Sequence, residues 1–328
     1  MKYSIIVPVY NRPDEVDELL ESLSNQTQKD FEVIIVEDGS VKPCKDVCDK
    51  YADILDLHYY YKDNSGPGQS RNYGAERANG EWLIILDSDV VLPEGYMHAV
   101  DQELTANSQQ PIAAWGGPDA AHESFTPVQK AISYSMTSFF TTGGIRGGKK
   151  KLDKFYPRSF NMGVRREAYL ALGGFSPLRF SKMSLYGEDI DFSIRIYKGG
   201  YSCRLFPEAW VWHKRRTDFR KFWRQVYNSG IARINLWKKY PEALKPVHAL
   251  PSVFTVGTCA LLLLAPFTKG LSLLPLLLYV LLIFIDSTFR NRSLKVGLIS
   301  IPAVFVQLIG YGIGFIESWW DNCIVKHE

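Results

Sequence analysis

Along the first ninety residues, short apolar runs alternate with segments whose apolar positions recur every three to four residues. SIIVPVY (4–10) and FEVIIVE (31–37) are β-branched and almost wholly apolar, LHYYYK (57–62) is aromatic, and WLIILD (82–87) completes the series. Between the first two runs, Val16, Leu19, Leu20 and Leu23 fall at i, i+3, i+4 and i+7, the stripe of an amphipathic helix, and Pro13 suits its first turn. Further helices are predicted over 43–53 and 67–78. Strands that alternate with helices form parallel βαβ units, so the predicted class is α/β. Ligands of such sheets collect at the carboxyl ends of the strands. Asn11, Glu37-Asp38 and Asp87-Ser88-Asp89 all stand there.

The pattern changes towards the C-terminus. Residues 250–267, 271–288 and 294–316 are long apolar stretches with few charges. Each is long enough to cross the ~30 Å hydrocarbon core of a bilayer, the middle one marginally. CALLLLAP and LLPLLLYVLLIFI carry no polar stripe, which favours lipid over a protein core. Pro266, Pro275 and Pro302 are tolerated in membrane helices. The predicted organisation is an α/β domain over 1–215, a basic juxtamembrane segment over 216–248, a membrane domain of two or three helices over 249–318 and a short tail over 319–328. An in-plane or re-entrant course for the first two stretches fits the same pattern.

Composition alters this picture little, but charge distribution does. A net charge of +3 on 328 residues makes no case for a nucleic-acid partner. Residues 214–245, however, hold ten Lys/Arg against Asp218 and Glu242, and beside apolar spans such a block reads as a belt facing anionic membrane lipids. Arg290, Arg292 and Lys295 separate the second and third stretches, whereas only Lys269 lies between the first and second. The positive-inside rule then places the α/β domain and the 289–295 loop in the cytoplasm, on the plasma (inner) membrane, with Trp319 and Trp320 at the far interface. Cys44, Cys48, Cys203, Cys259 and Cys323 lack C-x-x-C spacing and read as reduced thiols, Cys44 and Cys48 on one helix face. The apolar run of MKYSIIVPVYN is too short for a signal peptide. TTGGIRGGKKK (141–151) is Gly-rich and basic, either a plain surface loop or a lid over a substrate.

The candidate chemistry begins at Asp87 and Asp89, two carboxylates at the end of an apolar run. In a continuing strand the period of two would aim both the same way. Two hard oxygen ligands suit Mg²⁺ or Mn²⁺, and a plain Asp/Ser turn is the alternative. Arg71 lies in GPGQSRNYGAERANGEW, a Gly/Pro turn opening a helix, and an Arg beside a helix N-terminus favours phosphate. Asp38, in VEDGS, would meet a base or ribose, or else form the turn before Gly39. In GEDIDFSIRIYKGGY (187–201), Glu188, Asp189 and Asp191 fall in the first turn of a helix ended by Gly199-Gly200. Acids there complement the helix dipole, and one aimed into a cleft would serve as general base. His213, in VWHKRR, is a third metal ligand, a phosphate contact or a structural histidine.

Taken in order, SIIVPVYN, VEDGS, GPGQSRNYGAERANG, ILDSD, NMGVRREAYLALGGF and GEDIDFSIR resemble family 2 glycosyltransferases of the GT-A (Rossmann-like) fold, over roughly residues 3–215. The resemblance implies inverting transfer of a sugar from a nucleotide-diphosphate sugar, assisted by a divalent metal. It implies Pro8, Val9 and Asn11 at the nucleotide site, Asp38 at the base and Arg71 near the phosphates. Asp87 and Asp89 match the D-x-D pair around Ser88, with Asp89 nearest the metal. Asp189 matches the general base, with Glu188 beside it in the donor site, and His213 matches a histidine near metal and diphosphate. Glu37 stands where many members carry another Asp. Processive members carry Q-x-x-R-W, whereas WRQVYNSGIARIN (223–235) offers Gln225 without that motif, which argues against a long-chain synthase. The expectation is an enzyme adding one sugar to a hydroxyl of a membrane-associated glycan or lipid-linked precursor. Transfer onto a polyprenyl phosphate, nucleotidyl transfer on a related scaffold and a noncatalytic donor-binding membrane protein are its rivals.

Overall fold

The computed structural model describes residues 1–108, 112–120, 125–142, 154–176 and 187–323. All but the first two residues of the 141–151 segment, and the end of the predicted tail from 324, lie outside the described residues. The chain forms two compact units, one drawn from 1–122, 149–178 and 188–213, the other from 123–148, 179–187 and 214–328.

In chain order the elements begin β1 (Tyr3–Val9), α1 (Pro13–Ser24), β2 (Phe31–Asp38), α2 (Lys45–Tyr51), β3 (Asp56–Lys62), α3 (Pro67–Arg77) and β4 (Trp82–Leu86). They continue with β5 (Val90–Val91), α4 (Tyr96–Ala106), β6 (Ile112–Gly116), β7 (Asp119–Ala120), α5 (Pro127–Thr137) and α6 (Phe139–Thr142). Next come β8 (Asn161–Arg165), α7 (Arg166–Ala171), α8 (Glu188–Lys198), β9 (Ser202–Leu205) and β10 (Val211–His213). The chain finishes with α9 (Phe219–Lys239), α10 (Leu250–Leu264), α11 (Leu274–Asn291) and α12 (Leu294–Cys323).

The first unit is built on a seven-stranded sheet of order β3-β2-β1-β4-β8-β6-β9. β1, β2, β3 and β4 are mutually parallel, as the strand–helix alternation predicts. Their near-continuous apolar runs are explained by burial on both faces. Ile5, Val7 and Val9 pack with Val16, Leu19, Leu20 and Leu23 of α1 on one side, where Cys44 and Cys48 also lie. Ile6 packs with Ile85, Ala75 of α3 and Phe192 of α8 on the other. The sheet then turns mixed, because β8 runs antiparallel to both β4 and β6. This reversal brings the first residue of β8, Asn161, beside Leu86 at the last residue of β4. A second sheet, ordered β5-β10-β7, completes the same edge.

The second unit is helical. Pro246–Leu264, Leu271–Asn291 and Leu294–Asn322 are long and apolar enough to cross a membrane. α10 and α11 leave Leu262, Leu263, Leu277 and Leu278 more than half exposed, as helices facing lipid would. α12 is the axis of the unit. A Cβ at Gly230 of α9 would lie 2.3 Å from the Tyr311 carbonyl, and one at Gly314 of α12 would lie 2.2 Å from the Tyr227 carbonyl. The missing side chains therefore let the two backbones touch, the small-residue packing common between membrane helices. A single boundary at 215 is predicted, yet α5 packs in this unit. Its Ala131, Ile132 and Met136 share a core with Phe222, Val226, Val296 and Ala303. That partnership joins segments far apart in the chain, so no local pattern announces it.

Candidate active site

After Leu86 the chain leaves the large sheet. Asp87, Ser88 and Asp89 form a turn between β4 and β5, not the continuing strand whose period would align the two carboxylates. β5 pairs instead with β10, Val90 opposite His213. This long-range pairing delivers the imidazole to the acids. One ligand atom from each of Asp87, Asp89 and His213 lies within 4.8 Å of the others. His213 Nε2 is 3.3 Å from Asp89 Oδ1, and its Nδ1 is 3.6 Å from Asp119 Oδ2. Its ring stacks on Phe160 at 4.7 Å. Asp119 and Phe160 thus orient the imidazole, a supporting role with no sequence signal. Two carboxylates and one imidazole, converging and mostly buried, are a donor set that fits a hard divalent cation such as Mg²⁺ or Mn²⁺.

Two guanidinium groups neutralise the acids. Arg71, only 5% exposed in α3, places Nη2 2.8 Å from Asp87 Oδ1 and lies over the Phe175 ring. Arg12, which sequence analysis passes over, places Nη1 3.0 Å from Asp89 Oδ2 and 2.6 Å from Glu15 Oε2. Its position directly after Asn11, at the carboxyl end of β1, was the available signal.

The residues at the β1 and β2 ends are committed to the backbone. Asn11 adopts a left-handed conformation, φ +56°, and its Oδ1 accepts from the Val41 and Lys42 amides at 2.8 and 3.0 Å. Asp38 accepts from the amides of Ser65 and Gly66, both at 2.9 Å, and from Lys62 Nζ. Burial alone would raise the Asp38 carboxyl. The Lys62 ammonium and the two amides outweigh it and hold the group below the usual carboxylate range. Asp38 therefore clamps the turn that opens α3. Pro8 is half-buried, and Val9 is turned into the core, leaving its backbone at the edge. Ser88 is buried within its turn.

The α8 acids divide into three roles. Asp191 binds Arg195 Nε at 2.9 Å, and Arg195 donates to the carbonyls of Leu172 and Gly174, so this pair is structural. Asp189 Oδ1 accepts from the adjacent Ile190 amide at 2.9 Å, and its Oδ2 lies 3.1 Å from Nη1 of Arg158, another residue the sequence leaves unremarked. Glu188 is buried against Gly68 in the first turn of α3, where a Cβ would come within 2.4 Å of Oε2. Burial pushes the Glu188 carboxyl from 4.5 up to about 7, with Arg71 opposing and Asp189 and Asp191 adding to the rise.

A carboxyl raised in the folded state loses stability as it ionises. Stability is fully present below the unfolded value and falls as pH rises from 4.5 towards about 7. The loss is at most about 3 kcal/mol. Glu188→Gln should flatten this slope, melting above the parent at pH 8 in detergent and level with it near pH 4.5. A variant that keeps the parent's pH profile would refute the assignment.

The chain is similar to known proteins. The family model for glycosyl transferase family 2 matches residues 4–173, more than half of the chain. An uncharacterised glycosyltransferase of Haemophilus influenzae is 31% identical over 206 residues, covering 59% of this chain and 61% of that protein. The chain therefore spans about three fifths of that relative, and its match to a Rickettsia bellii glycosyltransferase covers 13% of the latter. Mannosyltransferase PcManGT of Pyrobaculum calidifontis, solved with GDP-Man and Mn²⁺, superposes with a TM-score of 0.63 at 17% identity, over 98% of this chain and 88% of that one. Residues 1–349 of Staphylococcus aureus TarS, solved with UDP-GlcNAc, superpose with a TM-score of 0.52 at 17% identity, over 97% and 91%. At such identities the structural likeness speaks for the fold, which is of the GT-A type. The mixed sheet, the acids at its strand ends and a family match over more than half its length establish that the chain belongs to glycosyl transferase family 2.

Proposed function

We propose that this protein is an inverting, metal-dependent glycosyltransferase that moves one sugar from a nucleotide-diphosphate sugar to a hydroxyl of a membrane-associated glycan or lipid-linked precursor. The convergence of Asp87, Asp89 and His213 beside two guanidinium groups carries this reading. A divalent metal on those three residues would supply Lewis-acid stabilisation of a leaving nucleoside diphosphate. Arg71, fixed by burial and by Phe175, adds preorganised positive charge for the same leaving group. Asp189 takes the proton from the acceptor hydroxyl, whose oxygen attacks the anomeric carbon opposite the diphosphate; one such displacement inverts the configuration. The turns held by Asn11 and Asp38 shape the wall a nucleoside would meet. PcManGT and TarS were solved with GDP-Man and UDP-GlcNAc, which supports a nucleotide-diphosphate sugar donor while differing in base and sugar.

The exposed leucines of α10 and α11 support residence in a membrane. The exposed Arg220, Lys221 and Arg224 beside Trp223 support a cytoplasmic, anionic lipid face, with the α/β domain on the same side of the plasma membrane. Arg158 beside Asp189 favours a second reading, an anionic acceptor such as a polyprenyl phosphate, for which no base is needed. The test is a screen of detergent-solubilised protein against UDP-, GDP-, CMP- and dTDP-sugars, with Mn²⁺ and with EDTA. Mn²⁺-dependent binding of one donor, with slow release of its nucleoside diphosphate, is expected. Release of a sugar 1-phosphate in place of the nucleoside diphosphate would mean nucleotidyl transfer, and binding of none would overturn the proposal.

A further inference from the structure

We propose that Arg12 is a built-in counter-ion that excludes a divalent cation arriving alone, so that cation and donor diphosphate must bind together. This rests on the donor reading above. Asp89 is 8% exposed, and a carboxylate so buried requires compensation. Arg12 provides it at Oδ2, 3.0 Å away, while His213 Nε2 lies 3.3 Å from Oδ1. Arg71 compensates Asp87 in the same way at 2.8 Å. Each of the two carboxylates of the D-x-D pair is therefore held by a guanidinium group. A divalent cation alone would add two positive charges beside two guanidinium groups. A diphosphate alone would add two negative charges beside two carboxylates. The two together add no net charge.

The two arginines differ in freedom. Arg71 is buried in α3 and packed on Phe175. Arg12 sits in the β1–α1 connection with its side chain 35% exposed. Glu15, one turn further on, accepts from the same Nη1 at 2.6 Å. Arg12 can therefore release Asp89 without losing its anionic partner, and the vacated guanidinium is placed to meet the diphosphate. It acts as a positioning residue, setting when Asp89 is available.

The test measures Mn²⁺ binding by the loss of the free-ion electron paramagnetic resonance signal, first with Mn²⁺ alone and then with UDP or GDP added. In the parent, Mn²⁺ alone should bind weakly, and one nucleotide should tighten it. Arg12→Gln should bind Mn²⁺ alone about tenfold more tightly, the scale of one unit charge acting on a divalent ion in a half-exposed site. The tightening by nucleotide should shrink by a similar factor. Arg12→Lys keeps the charge and should stay near the parent, which separates charge from any loss of fold. Arg12→Gln binding Mn²⁺ alone no better than the parent, or keeping the parent's full nucleotide effect, would overturn the proposal. If neither nucleotide tightens Mn²⁺ in the parent, the donor reading falls, and the comparison with Mn²⁺ alone still decides the role of Arg12.

Discussion

Asp189→Asn is expected to cut sugar transfer by about 10²–10⁴-fold, the usual contribution of a positioned general base, while leaving Mn²⁺-dependent donor binding intact. The substitution is nearly isosteric. The amide oxygen of the variant can still accept from the Ile190 N–H, as Asp189 Oδ1 does at 2.9 Å. The helix does not depend on this charge, because Phe192, Ile194 and Ile196 anchor α8 by burial. The variant loses only basicity and the ion pair with Arg158. Donor binding by calorimetry and transfer by product analysis separate the two effects. A well-folded variant with parental transfer would remove Asp189 from the chemistry and favour an acceptor that is already an anion.

Asp89→Ala should abolish the difference between Mn²⁺ and EDTA in donor binding, weakening metal-dependent affinity by about a hundredfold or more. Loss of a supporting group alone costs about 10–100-fold at metal sites, and Asp89 is a ligand candidate itself. It is also the residue on which Arg12 and His213 both converge. Its removal leaves Arg12 with Glu15 and His213 with Asp119, and takes one negative charge from the position the cation would occupy. Residual diphosphate binding should then become metal-independent and sensitive to salt. Donor titrations with Mn²⁺ and with EDTA, at two ionic strengths, would show this. A variant whose donor affinity still responds to Mn²⁺ as the parent's does would mean that the ion is held elsewhere.

Much of the first unit was legible before any coordinates. The predicted strands and helices through residue 87 fall within a few residues of β1 to β4 and α1 to α3. Burial on both sheet faces writes continuous apolar runs, and burial on one helix face writes a 3.6-residue stripe, so each element is encoded by its own residues. The strand-end acids, the first turn of α8 and the apolar helices of the second unit were legible for the same local reason. Arg12 and Arg158 were not, because an arginine's partner is chosen by what lies across the cleft. The role of Asp191 was equally hidden, since an acid in a first helix turn looks the same whether it faces a cleft or Arg195.

The sequence by itself thus determined the kinds of element, their order and the positions at which acids end strands, because those depend on contacts within a few residues. Tertiary structure alone decided the reversal of β8, the turn at Asp87-Ser88-Asp89, the arrival of His213 through the β5–β10 pairing and the place of α5 among the C-terminal helices. It also decided that the Glu188 carboxyl is raised to about 7, since desolvation is a property of surroundings and not of the residue. Each of these rests on segments distant in sequence becoming neighbours in space, and local periodicity carries no record of which distant segment that will be.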